Sequence, residues 1–414
     1  MNQKRTLLLT SIGAGLEYYD FVIYALLANF IGDSFFPNNN HYTAIMTTFA
    51  IFGIGYVVRP IGGILFGIIA DCYGRKKAFT ATIFLMSVST FMMGITPPYL
   101  YWGLTAPCIF VILRILQGLS YGAELPGSLT FLAEHIAAKN RGKKCSIMIA
   151  SMGIGVTIAS FVSYLIIHFL TTKQMNLWGW RLPFILGGFL ALIGYFLRKY
   201  TTETPLFIKM KKDNFNTLAL ALKNNYKNLL RGFGFVIFPA CFVIFGLFMP
   251  SYLHDYFKYQ LATIYLINTV GNIWVVILLP IFGWYSDHVG RKKLLLMIAI
   301  LVVLFILPLF KCLAYANIFA LCGFIICYYT IIASLASCYF AMLAENFPTS
   351  IRYTGIALCY NLTYTVAAFA PVLFSYICKN TKNPENISFV FIILAILTIF
   401  SVLTVTDRTG KELV

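Results

Sequence analysis

Apolar runs of roughly 18 or more residues follow one another along nearly the whole chain, each long enough to cross ~30 Å of hydrocarbon as a helix. Inside hydrocarbon every backbone N–H and C=O needs an internal partner, so a crossing segment must be a helix or part of a closed barrel. Barrel strands alternate polar and apolar residues over ~10 positions. These runs are continuous, and the chain is 60% hydrophobic with only 11% charged residues. A soluble protein of this length carries about a quarter. The pattern predicts an all-α polytopic membrane protein with twelve spans, roughly 8–31, 44–70, 78–97, 105–135, 146–170, 181–199, 231–253, 263–284, 294–313, 317–343, 354–378 and 387–405.

The spans are organised by duplication. Asp71-Cys72-Tyr73-Gly74-Arg75-Lys76-Lys77 recurs 216 residues later as Asp287-His288-Val289-Gly290-Arg291-Lys292-Lys293. Leu132-Ala133-Glu134-His135 with Arg141-Gly142 recurs at an offset of 211 as Leu343-Ala344-Glu345-Asn346 with Arg352 and Gly355. Both repeats run in the same direction after six spans, which implies two six-helix bundles related by an axis along the membrane normal. The polar stretch 200–230 separates them. The expected organisation is a bundle over 1–199, a cytoplasmic linker over 200–230 and a second bundle over 231–414.

Charge gives the orientation. The net charge is +17, yet 23 of the 31 Lys and Arg fall in segments assigned to one side of the membrane, so they read as topology and not as a nucleic-acid surface. Positive loops mark the cytoplasmic side. Both termini are then cytoplasmic, and the expected location is the inner (cytoplasmic) membrane. The first run is interrupted by Glu17 and Asp20 and has no small-residue cleavage site, so it reads as an uncleaved helix. The ten cysteines are scattered without CxxC pairs, which points to small buried hydrophobes and to no metal site. There is no GxxxxGK[ST] and no HExxH, so neither ATP nor metal-dependent soluble catalysis is indicated.

At this point a resemblance is carried by residues. Asp71–Lys77 resembles the signature between the second and third helices of the major facilitator superfamily, and Arg114-Ile115-Leu116-Gln117-Gly118 resembles its fourth-helix RxxQG motif. Leu16-Glu17-Tyr18-Tyr19-Asp20-Phe21, Val58-Arg59-Pro60-Ile61-Gly62-Gly63, Trp178-Gly179-Trp180-Arg181-Leu182-Pro183-Phe184, Glu203-Thr204-Pro205-Leu206-Phe207 and Phe347–Gly355 are similar to segments of its metabolite:proton symporters, which include proline/betaine and 2-oxoglutarate or citrate carriers. The family's G-G-E-Y-G-G stretch here reads Gly122-Ala123-Glu124-Leu125-Pro126-Gly127. The resemblance implies the major facilitator fold, a monomer, and proton-coupled symport with no cofactor beyond the proton gradient. Gating by a long coiled-coil tail is not expected.

Charges in a bilayer cost at least ~2.5–3.5 kcal/mol each on insertion scales, so they face partners or a water-filled cavity. Glu17, Asp20, Arg59, Arg114 and Glu124 lie within apolar runs and are the candidate proton-coupling residues. Glu17 and Asp20 share a helix face, with Tyr24 one turn on. Arg114, Gln117, Tyr121 and Glu124 form a second stripe at 3–4 spacing. Burial favours the neutral form of a carboxylate, so Glu124 or Asp20 can carry a proton, with Arg114 as the counter-charge. Tyr24, Gln117, Tyr121, Asn272, Tyr360, Asn361 and Tyr364 are the candidate substrate contacts; most of the other tyrosines read as packing. Asp71, Gly74, Arg75, Glu134 and Arg141 form an expected cytoplasmic gate with Asp287, Gly290, Arg291, Glu345 and Arg352. In it, Arg75 bridges to the adjacent helix terminus or to Glu134, Asp287, Arg291 and Glu345 mirror this, and Glu134–Arg141 and Glu345–Arg352 are expected local pairs.

The expected function is proton symport of a small zwitterion or carboxylate of the proline/betaine kind. A di- or tricarboxylate symporter, a proton-antiport exporter and a transport-inactive sensor are the alternatives. The expected partners are a small-molecule substrate, protons and lipid.

Overall fold

The computed structural model describes residues 3–36, 41–199, 219, 223–315 and 317–413. The Glu203–Phe207 motif and most of the 200–230 linker lie outside them. Among the described residues every regular element is a helix, with no strand. Twelve long helices follow in order: α1 Gln3–Leu26, continued by Ala28–Phe35; α2 His41–Tyr73; α3 Arg75–Ile95; α4 Thr105–His135; α5 Arg141–Phe169; α6 Arg181–Lys199; α7 Tyr226–Phe257; α8 Leu261–Val289; α9 Arg291–Lys311; α10 Ile318–Asn346; α11 Arg352–Ala367, continued by Ala370–Thr381; and α12 Ile387–Thr404. Eleven spans are long and apolar enough to cross a membrane. The helix α1 falls short of that hydropathy because Glu17 and Asp20 sit within it.

The radial pattern inverts that of a soluble protein. Val57, Ile61 and Leu65 of α2 are exposed, whereas Arg59 on the same helix, Asp20, Arg114, Gln117 and Glu124 are buried. Apolar residues outside and charges inside suit a chain whose solvent is hydrocarbon. The described residues group into two compact units, one within Met1–His135 and Ser151–Leu218, the other within Ile136–Ala150 and Ala219–Val414. The first turns of α5 thus pack with the later helices, where a cut at the linker keeps them with the earlier ones.

In the first unit α2 crosses α4 at backbone contact. A Cβ on Gly62 would collide with the Leu119 carbonyl, and one on Gly122 with the Arg59 carbonyl. Without a hydrophobic drive between helices in lipid, such close packing holds them together. It also sets Arg59 and Arg114 near each other: a Cβ on Gly55 of α2 would stand 3.0 Å from Arg114 Nε. The Trp178–Phe184 motif has a structural role. Trp180 is fully buried, 5.6 Å from Phe35 and 5.9 Å from Phe184 between ring centroids. Arg181 donates to the Gly94 and Thr96 carbonyls at 3.1 and 2.7 Å, a cation at the C-terminal end of α3. The second unit has an aromatic core in which Phe245 meets Phe310, Tyr328, Phe374 and Phe391 at 5.5–5.7 Å.

The two repeated loops each reduce to a single non-helical residue. Gly74 has φ 122° and Gly290 φ 101°, and helices begin again at Arg75 and Arg291. A Cβ is strained at such angles. We expect Gly290→Ala to lower the thermal unfolding midpoint measurably, through ~1–2 kcal/mol of left-handed strain. An unchanged midpoint in a detergent melt would contradict this.

Candidate functional site

Within the first unit, α1, α2 and α4 build an aromatic and cationic cluster. The Arg59 guanidinium stands over three rings, 3.7 Å from the centroid of Tyr56, 4.2 Å from Tyr121 and 4.3 Å from Phe21. Arg59 is 2% exposed, and among the described residues no carboxylate pairs with it. Arg114 lies 4.3 Å from the Tyr24 centroid and 4.8 Å from that of Phe21, so two cations flank one phenyl ring. Arg114 also donates to Gln117 Oε1, and Gln117 Nε2 donates to Thr90 at 2.9 Å and to the Asp20 carbonyl at 3.4 Å. Glu124 accepts from Thr82 at 2.6 Å and from Ser128 at 3.4 Å.

The predicted stripe on α1 divides. Asp20 is fully buried and packs against Gly187 of α6, where its two carboxylate oxygens have no hydrogen-bond partner among the described residues. Phe21, one residue on, faces Arg59. Successive helical residues are ~100° apart, so α1 offers the acid to α6 and the ring to α2. Glu17 is buried on the same helix. The expected pairing of Arg114 with a proton-carrying acid does not form with Asp20. Glu124 is ten residues from Arg114 on one helix, ~15 Å along the axis, too far for direct neutralisation.

The second unit holds the other substrate candidates. Tyr360 and Tyr364 of α11 stack with centroids 4.3 Å apart, and the Tyr364 and Tyr339 hydroxyls are 3.2 Å apart. Asn361 is fully buried between them in sequence. Asn272 is half-buried and donates to the Asn268 carbonyl of its own helix at 3.1 Å. Tyr329 donates to Asn268 Oδ1 at 2.9 Å. Asn268 and Tyr329, which the sequence reading did not single out, join α8 to α10, as do Trp274 and Thr330 at 3.0 Å.

The residues expected to form the gate make charged networks at the helix ends. In the first unit Arg75 pairs with Asp71 and lies 3.5 Å from Glu134. In the second, Arg291 pairs with Asp287 at 2.7 Å and with Glu345 at 2.8 Å. Arg141 joins Glu345, so that one buried carboxylate sits between two guanidiniums. The local pair Glu345–Arg352 does not form. Arg141 opens α5 and reaches Glu345 instead, while Arg352 donates from Nε to the Ala344 carbonyl at 3.1 Å. Asp287 also accepts from the Gly142 and Lys143 N–H groups at 2.8 and 2.9 Å. A carboxylate here satisfies orphan donors and meets the positive end of the α5 dipole.

Removing one partner of a buried ionic network costs about 3–5 kcal/mol, because the remaining charge stays desolvated. Glu345→Gln is therefore expected to lower the thermal inactivation midpoint by several degrees. A midpoint within error of the parent's would show that the network contributes nothing.

A family model described as Major Facilitator Superfamily matches residues 10–309 and again 232–413. The chain belongs to the Major Facilitator Superfamily. It is 33% identical over 393 residues to a putative proline/betaine transporter of Staphylococcus aureus (strain COL), covering 92% of this chain and 83% of that relative. It is 28% identical to the proline/betaine transporter of Escherichia coli (strain K12), covering 99% and 85%. Among solved structures, the superfamily's proton:xylose symporter XylE bound to 6-bromo-6-deoxy-D-glucose superposes with a TM-score of 0.80 at 18% identity, covering 99% of this chain and 97% of that one. The protein is thus a multi-pass member of a transporter superfamily, with the major facilitator fold, and not an enzyme.

Proposed function

We propose that the protein is a secondary transporter that moves a small zwitterionic or carboxylate metabolite of the proline/betaine kind together with a proton, by alternating access. The observation that carries this reading is Arg59: a guanidinium held by Tyr56, Tyr121 and Phe21, with no carboxylate of the protein paired to it among the described residues. A fixed, desolvated guanidinium seeks a planar anion and grips it with two parallel hydrogen bonds. A substrate carboxylate supplies that anion. Two relatives named for proline and betaine support the same class.

Asp20 is the proton carrier in this reading. Its site suits the neutral acid, and the ionised form requires water or a cation to reach the α1–α6 seam. Glu124 and Gln117 hold α4 against α3 through Thr82 and Thr90. The Asp71–Arg75–Glu134 and Asp287–Arg291–Glu345–Arg141 networks close the cytoplasmic side. The skew of Lys and Arg supports cytoplasmic termini in an inner membrane. The protein works as a monomer and is driven by the proton gradient alone.

Two guanidiniums on one ring, Arg59 and Arg114 at Phe21, favour a second reading, a dicarboxylate as substrate. Calorimetric titration of the protein in nanodiscs with proline, glycine betaine, 2-oxoglutarate and citrate separates the two. Binding of a monocarboxylate zwitterion supports the first. Binding of dicarboxylates alone selects the second, and binding of none of them removes both.

A further inference from the structure

The segment after α12 is tied to the gate. Gly290 occupies the N-cap position of α9, and its positive φ demands a glycine, which has no side chain to cap the helix. The missing cap arrives from 118 residues away: the Arg291 N–H donates to Thr409 Oγ1 at 3.1 Å. Asp407 positions that hydroxyl. Its Oδ1 accepts from the Thr409 N–H at 2.9 Å and from the Thr409 hydroxyl at 2.6 Å, and its Oδ2 would lie 3.0 Å from a Cβ on Gly290. A carboxylate there also complements the positive end of α9.

The same segment is anchored on both sides of this turn. Lys292 Nζ donates to the Leu403 and Val405 carbonyls at 2.9 and 2.7 Å. The Lys411 carbonyl accepts from Arg141 Nη1 at 3.3 Å, and the same nitrogen pairs with Glu345. One strand of chain therefore touches both arginines that hold Glu345.

We propose that residues 405–411 are a strap that keeps the gate closed, with Asp407 and Thr409 as its positioning residues. The strap caps α9 at the Arg291 N–H and holds the Arg141 guanidinium through the Lys411 carbonyl, so α5 can leave α8 and α10 only after the strap loosens. This rests on the gate reading above, and the test separates the two.

Cys145 is fully buried on α5, one turn beyond Arg141, and serves as a native reporter. In a background retaining Cys145 with the other nine cysteines replaced, its labelling by a membrane-impermeant maleimide is followed in inside-out vesicles. Thr409→Val is expected to speed labelling about fivefold, the factor one net hydrogen bond supplies. Asp407→Ala should exceed that, and Thr409→Ser, which keeps the hydroxyl, should label at the parent rate. Labelling of Thr409→Val at the parent rate, or of Thr409→Ser as fast as Thr409→Val, overturns the strap. Glu345→Gln is the control. If it speeds labelling while the strap variants do not, the strap alone fails; if it does not, the gate reading fails and takes the strap with it.

Discussion

On the proposed function, replacing Arg59 by Gln is expected to remove binding of the carboxylate substrate while leaving the fold intact. The fold survives because Arg59 has no ion pair among the described residues that the change would break; its neighbours are the rings of Phe21, Tyr56 and Tyr121. Binding is lost because truncating one member of a buried, hydrogen-bonded charge pair costs about 2–5 kcal/mol, at least ~30-fold in affinity. Arg59→Lys should recover only part of it. Lysine keeps the charge but lacks the planar fork that stacks between rings and grips a carboxylate at two points. Titration of the three proteins in nanodiscs checks this. Equal affinity in parent and Arg59→Gln would move the anion site elsewhere.

Asp20→Asn is expected to uncouple transport from the proton gradient. Asparagine has the shape of the neutral acid, so it fits beside Gly187 in the α1–α6 seam without a new charge. It has no proton to release. Exchange of labelled for unlabelled substrate should continue near the parent rate, while accumulation against a gradient falls to none. Glu124→Gln should be milder, since Glu124 already rests in hydrogen bonds from Thr82 and Ser128. Parent-level accumulation by Asp20→Asn would assign the proton to another group.

The fold was legible where the sequence repeats itself or stays apolar. The Asp71 and Asp287 loops share a glycine because both turns need positive φ, and a local motif can carry that requirement. The helices were read several residues short at these loops. Arg75 and Arg291 look like loop residues, yet both are helical and buried because each finds an Asp one turn back. The burial of Arg59, Arg114, Asp20 and Glu124 followed from their apolar surroundings. Their partners did not. Spacing placed Asp20 with Glu17 and Tyr24, and Arg114 was its expected counter-charge, whereas the packing of α1 with α6 sets the acid against Gly187. Arg141 could be matched in sequence only to acids near it, and its true partner Glu345 lies 204 residues on. Thr409 carried no signal, since a cap delivered from a distant segment has no local spacing.

Uptake into proteoliposomes under an imposed pH gradient, acidic outside and with the membrane potential clamped at zero, tests the central claim most directly. One proton per substrate predicts accumulation approaching about tenfold per pH unit, from ~1.4 kcal/mol per unit. That accumulation should favour a carboxylate-bearing zwitterion and should vanish in Asp20→Asn. Mere equilibration across the membrane, or accumulation only when the lumen is the acidic side, would contradict proton symport.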